Sequence, residues 1–333
     1  MIQIGIDDFG VMDAMDQSDV DKTLFSRIQG FFETDILLGK RVTVVGLGSG
    51  GSFAVVELAR CGISHFNLID YDILELHNVS RHVCGIRDVG RLKTDAVKDA
   101  ILNINPQGDV SCFHANIVRD ETVLHQTVRS SDIVLECTDS KHSKYRINQY
   151  CIRIWQEQGL KVPVIYGGAY ERAFGGDIIR VIPGETPCYD CVLGAVQKLS
   201  FYDSMPQGKI DYSNIDKSGS FKAEPGLGLD VHFIALIQAK VGLLTLLRGS
   251  ASKLEDIPYH FLMWGNRKEW IFKEPFKCIY ANTEKREDCP TCGSGKDLLD
   301  QYGIDPKNVE TEAEKLLQSL PKADLDVSKI YPV

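Results

Sequence analysis

The 333-residue sequence has no hydrophobic run that reads as long enough to cross a bilayer. Its first residues, MIQIGIDDFG, lack the pattern of a secretory leader. A spanning or exported protein is therefore not expected, and a cytoplasmic setting is. An excess of positive charge is also missing. Against 46 Asp and Glu there are 37 Lys and Arg, a net charge of −9, which argues against nucleic acid as the default partner. There is no internal repeat. Cysteine is absent from 192 to 277, although the chain holds ten. In a small secreted domain ten cysteines would be a disulfide framework. Here four form two C-x-x-C pairs and six are scattered, often among apolar neighbours, which suits a reducing compartment. What remains, 44% hydrophobic residues, suffices for one large core with appendages.

The most informative stretch is Arg41 to Arg81, which reads as a βαβ unit. Val42–Val45 is a β-branched run of the kind found in buried strands. Gly46, Gly48 and Gly51 then give G-x-G-x-x-G, with Ser49 inside the loop. A helical run over 52–60 closes at Gly62, and Phe66–Ile69 is a second strand ending in Asp70. Glycines let backbone turn tightly and approach a phosphate, and the following helix offers it free N–H groups and a positive dipole end. Asp70 stands about where an acid meets a ribose hydroxyl. The same fingerprint serves NAD, so a dehydrogenase is a rival reading.

Further along come Asp72, Asn78, Arg81 and Lys93, then Cys137-Thr138-Asp139. A triphosphate with Mg²⁺ needs cations for phosphate and carboxylates for metal or ribose. Arg81 grips bidentately and Lys93 supplies a point charge. Asp139 follows the apolar strand Ile133–Leu135, so it should emerge at a strand's carboxyl end, where open α/β sheets bind ligands.

The other strong signal is Cys188-x-x-Cys191 with Cys289-x-x-Cys292, both in turn-like contexts. Two such pairs read as a four-thiolate Zn²⁺ site with no open coordination position, structural rather than catalytic. A thioredoxin-like redox pair would not need the second C-x-x-C.

Strands are expected near 42–45, 66–69, 110–114, 132–136, 163–168 and 176–182, with a hairpin over 259–272. Helices are expected near 52–61, 91–103, 120–129, 141–159, 192–200 and 230–247. The acidic stretch 1–24 reads as an arm, 25–293 as the nucleotide domain including a loop over 201–228, and 294–333 as a helical tail with mixed charge.

The ordered motifs, glycine loop, D-x-D at Asp70 and Asp72, N-x-x-R at Asn78 and Arg81, G-x-x-K at Lys93 and C-T-D at Asp139, resemble the ThiF/MoeB/HesA superfamily of ubiquitin-activating-enzyme-like adenylyltransferases. The resemblance covers about 25 to 249. It implies an α/β fold, a Rossmann-like nucleotide-binding domain with a mixed sheet, the zinc site tying in the C-terminal part. It also implies ATP bound with Mg²⁺ on Asp139 near the α-phosphate and Asn78 on the phosphates. Leu24–Ile28 is similar to the family's R-Y-S-R-Q segment with both ends changed. Arg27 matches the Arg that reaches a dimer partner's ATP, so a homodimer is implied.

The implied reaction is adenylation of a carboxylate, the C-terminus of a small ubiquitin-like or sulfur-carrier protein, with release of pyrophosphate. Many members place a catalytic cysteine shortly before the long helix. Here Lys222 stands in that segment. A thioester would need Cys278, Cys137, which reads as buried packing, or Cys84, where a positive field beside Arg81 would lower the thiol pKa. The gap favours products that need no enzyme thioester, such as an adenylated peptide or tRNA base. A non-catalytic partner subunit is a further alternative, opposed by the complete nucleotide motif set.

Overall fold

The computed structural model describes residues 24–32, 35–199 and 226–293. The expected arm, most of the 201–228 loop, Lys222 and the helical tail lie outside the described residues.

The first strands pair in parallel because helices carry the chain back between them. β1 (Arg41–Val45) leads into α2 (Ser49–Arg60), following the one-turn α1 (Asp35–Leu38), and then into β2 (His65–Ile69). α3 (Lys93–Leu102) precedes β3 (Asp109–Phe113), α4 (Glu121–Arg129) precedes β4 (Ile133–Glu136), and α5 (Lys141–Gln158) precedes β5 (Val164–Ala169). A tight connection then gives antiparallel β6 (Gly175–Val181). α6 (Tyr189–Val196) and α7 (Gly228–Leu246) come before the closing hairpin of β7 (Phe261–Gly265) and β8 (Lys277–Ala281). The sheet order is β3-β2-β1-β4-β5-β6-β7-β8, parallel through β5 and antiparallel beyond it. This is the mixed α/β sheet expected from the sequence.

Strand periodicity divides the core in two. Val42, Val44, Ile133, Leu135 and Ile165 face α2, α3 and α7. Val45, Val134, Val164 and Tyr166 face α4, α5 and α6. Both faces are covered, as parallel strands require.

Two expectations need correction. α7 is 19 residues long and apolar enough to span a bilayer by length and composition. More than half of it is buried here, packed on α2 and strands β4–β6. Its apolarity reflects a helix laid across the sheet. On it, the buried Gln238 donates Nε2–H to Glu136 O (2.9 Å) and Ile165 O (2.8 Å). The hairpin also runs further than 259–272. Phe272 stacks on Gly265, where an added Cβ would stand 2.3 Å from its ring, and so closes a wide turn instead of pairing. The second strand is the half-exposed KCIYA, whose pattern is too mixed to read as a strand.

Candidate active site

The register decides what meets at the sheet's carboxyl edge. Val45 stands opposite both Ile69 and Glu136, and Ile69 opposite Phe113. The loops after β1, β2, β3 and β4 therefore leave at one level. Chain order reverses between β1 and β4, the switch point where such sheets bind ligands. A cleft of about 480 Å³ opens there. Gly46, Gly48, Asp70, Asp72, Lys93 and Asp139 all line it.

The glycines do different work. Gly46 has φ +87°, and a Cβ there would meet the Thr138 side chain at 2.7 Å, so the β1 and β4 loops touch only because it is glycine. Gly51 is packed under the loop, its imaginary Cβ 1.9 Å from Gly46 O. Gly48 and Ser49 open α2, which no side chain caps. The first amides of a helix have no intrahelical acceptor, so this end is left for an anion.

The charges are arranged around that end. Asp70 accepts Leu47 N–H (2.6 Å) on one oxygen and Asp72 N–H (2.9 Å) on the other, bracing both loops. Lys93 is buried with its Nζ 2.8 Å from Asp72 Oδ2. Asp139 is exposed in the cleft, and among the described residues no group donates to its carboxylate.

Behind Asp139 lies a buried group that the sequence reading missed. Glu136 is fully buried at the end of β4. Its carboxylate accepts from Thr138, from Ser143 Oγ (3.0 Å) and from Lys144, so it braces the turn that carries Asp139. Burial alone would lower the Lys144 pKa, but the charge and hydrogen bond of Glu136 hold it above the usual lysine value. An acid ending an apolar strand was the available signal. The outer wall, from Ala115 to Arg119 after β3, was also missed, because nothing in its composition marks it.

Asp177 on β6 lies beside Gly168 of β5, whose added Cβ would stand 3.4 Å from Asp177 Oδ1. Burial raises its carboxyl to about 6, against the opposing pull of Lys144 and a hydrogen bond with Tyr170. The native protein thus keeps this proton to a higher pH than the unfolded chain. Its contribution to stability is complete below the ordinary Asp value and is lost as pH rises through about 6. Asp177→Asn should remove that loss, raising stability at pH 8 by about 1–3 kcal/mol. That is a rise in melting temperature of about 2–6 °C. The gain should shrink at pH 5. Equal gains at both pH values in thermal unfolding would assign the effect to packing.

Five predicted residues do not line the cleft. Ser49 and Gly51 sit in the first turn of α2. Asn78 is occupied locally, its Oδ1 accepting Glu75 N–H (2.9 Å). Arg81 lies against the start of α7, its carbonyl accepting from His232 Nε2 (3.0 Å). Arg27 is exposed on the segment before α1. The expectation of a lowered thiol pKa at Cys84 is also corrected, while that of inert packing at Cys137 holds. Burial, then Asp88, pushes the Cys84 thiol up to about 12, outweighing Arg91. Burial, then Glu136, does the same for Cys137. Burial raises Cys278.

The remaining predicted group assembles at the start of α6, in the core layer under α4, α5 and α6. Cys188, Cys191, Cys289 and Cys292 bring their Sγ atoms within 4.8 Å of one another. Cys188 and Cys289 are 3.5 Å apart, and Cys191 and Cys292 3.4 Å. Four thiolates about 2.3 Å from a tetrahedral zinc would be roughly 3.8 Å apart, so the set fits that metal and is too open for disulfides. The turn expected before the first pair is present at 183–186, but the helix expected from 192 starts earlier, so the pair opens α6 with Cys188 as its N-cap. Asp190 between those cysteines accepts from Asn148 on α5 (3.2 Å) and from Thr291 between the second pair.

Comparison with known proteins agrees with this geometry. The model of the ThiF family matches residues 22–292. Among curated relatives, ubiquitin-like modifier-activating enzyme 5 of Dictyostelium discoideum is 33% identical over 164 residues, 45% of this chain and 41% of that protein. The SAMP-activating enzyme E1 of Haloferax volcanii is 31% identical over 157 residues, 47% of this chain and 54% of that protein. The chain thus spans about half the length of the curated relatives it matches. A crystal structure of E. coli MccB with ATP superimposes with a TM-score of 0.56 at 25% identity, covering 78% of this chain and 68% of that one.

Proposed function

The chain belongs to the ThiF family, and from that premise we propose that it adenylates a carboxylate with ATP and releases pyrophosphate. The observation that carries this reading is the convergence of the uncapped α2 terminus, Lys93, two ribose-competent acids and the exposed Asp139 on one cleft. In this reading the phosphates lie on the amides of Gly48 and Ser49. Lys93 exchanges part of its bond to Asp72 for phosphate oxygens, and Asp70 or Asp72 accepts from ribose hydroxyls. Asp139 would hold Mg²⁺, which draws charge from the α-phosphate and the leaving pyrophosphate. The acceptor carboxylate, already ionised, attacks the α-phosphorus as the bond to the bridging oxygen breaks. No general base is needed, and positioning with charge neutralisation supplies the acceleration.

The acceptor we propose is the C-terminus of a small ubiquitin-like or sulfur-carrier protein, by analogy with what the curated relatives are named for. A free peptide is the second reading. The upward-shifted thiols of Cys84, Cys137 and Cys278 favour a product released without an enzyme thioester. Asn78, Arg81 and a partner's copy of Arg27 would complete the phosphate site on assembly. In support of a homodimer, Tyr71, Ile73, Leu76 and Ile86 stand exposed on the segment that also carries Asp72 and Arg81, and a second copy would cover them. The free thiols fit a reducing, cytoplasmic setting.

Thermal unfolding tests the nucleotide. ATP·Mg²⁺ at a hundredfold excess over its dissociation constant adds about 2.7 kcal/mol, so the midpoint should rise by several degrees. A rise with NAD⁺ or NADP⁺ instead would replace adenylation by hydride transfer. No response to any nucleotide would leave a non-catalytic partner subunit.

A further inference from the structure

His82 lies outside the cleft yet touches the loop that forms it. The side chain is buried, with Nε2 2.8 Å from Leu47 O. Its Nδ1 is 3.1 Å from Cys84 N, an atom that can only donate. Nδ1 is therefore the acceptor, Nε2 carries the proton, and Nε2–H donates to the Leu47 carbonyl. On the other side of the same residue, Leu47 N–H donates to Asp70. Both peptide groups of Leu47 are therefore held, one by Asp70 in the cleft and the other by His82 outside it.

The peptide joining Leu47 to Gly48 is planar and trans, so its N–H points opposite to its C=O. The carbonyl points at His82. The Gly48 N–H therefore points away from it, makes no hydrogen bond within the described residues, and belongs to a residue lining the cleft. We propose that His82 is a positioning residue for nucleotide binding, holding the Leu47–Gly48 peptide so that the Gly48 amide is presented to a phosphate oxygen. The inference rests on the adenylation reading only in requiring that a nucleoside phosphate occupy the cleft. It assigns a role to a residue in none of the nucleotide motifs. Burial, then the charge of Lys93, lowers the His82 pKa, with the Leu47 hydrogen bond, Asp70 and Asp88 opposing. The neutral ring that the hydrogen bonds require is thus the form at neutral pH.

Two conservative variants separate the ring's two bonds. His82→Gln places an amide donor near the Nε2 position and keeps the bond to Leu47. His82→Asn places a carbonyl near the Nδ1 position and keeps only the bond to Cys84. Affinities for ATP·Mg²⁺, AMP and adenosine are measured by calorimetry on the full chain. The Asn variant should lose about 10- to 100-fold for ATP and AMP, the range for a hydrogen bond to a charged group. Adenosine should be unaffected, and the Gln variant should stay near wild type for all three. Equal ATP affinity in the two variants would overturn the proposal, as would a parallel loss for adenosine, which marks general distortion. Should the Asn variant not fold, glycine-labelled wild-type protein gives the same decision by NMR. The Gly48 amide resonance should move with ATP·Mg²⁺ and AMP but not with adenosine, and no selective movement would overturn the proposal. Wild-type protein that binds no ATP would instead sink the adenylation reading, and this inference with it.

Discussion

Asp139→Ala should reduce acyl-adenylate formation by about a thousandfold or more, a loss of roughly 4 kcal/mol or greater of transition-state stabilisation. The magnitude follows from the role proposed for the carboxylate. Losing it would leave the metal without its protein ligand as charge moves onto pyrophosphate. The geometry makes this variant a clean one. Asp139 is exposed in the cleft, its carboxylate holds nothing else among the described residues, and the turn beneath it is braced by Glu136. The unliganded melting temperature should therefore stay within about 1 °C of wild type. Lys93→Ala should also impair activity, but it unpairs Asp72 and empties a buried position, so some stability should go with it. Trapping of the adenylate with hydroxylamine, or pyrophosphate exchange with a supplied acceptor peptide, measures the effect. Undiminished turnover in the Asp139 variant would remove Asp139 from the site.

Removing zinc should be the largest perturbation of stability. Structural zinc contributes on the order of 10 kcal/mol where folding of the site depends on it. Here the four thiols join α6 to the segment after β8, about a hundred residues later, and Asp190 couples the same clasp to Asn148 on α5. The chelated protein, or Cys289→Ser, should melt about 10 °C or more below the metal-loaded form. The loss should extend to ATP affinity, because α5 begins directly after Asp139. Metal analysis should return one zinc per chain. Protein that purifies without zinc and melts at the same temperature with and without chelator would make the cluster a packing of thiols.

The nucleotide half was legible because its signals are local. Val42–Val45 and Ile133–Leu135 are β-branched or aliphatic runs that only a doubly covered strand tolerates, and the glycines of 46–51 mark a turn no other residue makes. The closing hairpin was not, since KCIYA is half exposed on both faces and acquires strand structure only by pairing with β7. Cys84 was misjudged for a related reason. Sequence placed it near Arg81, but the fold buries it and sets Asp88 beside it, which reverses the direction of its pKa shift.

By itself the sequence determined the βαβ unit, four of the cleft's charged residues and the two C-x-x-C motifs that come together as one cluster. Each of these motifs rests on spacing within a few residues, which backbone geometry translates directly into a face, a turn or a ligand bite, whereas their meeting across the chain does not. Only the tertiary structure decided which charges meet. The register of four parallel strands brings Asp70, Asp72, Lys93 and Asp139 to one edge while leaving Asn78, Arg81 and Arg27 off it. It also revealed the supports of the site, Glu136 under Asp139 and His82 behind Gly48, the latter through a hydrogen bond between residues 35 apart that leaves no trace in local pattern.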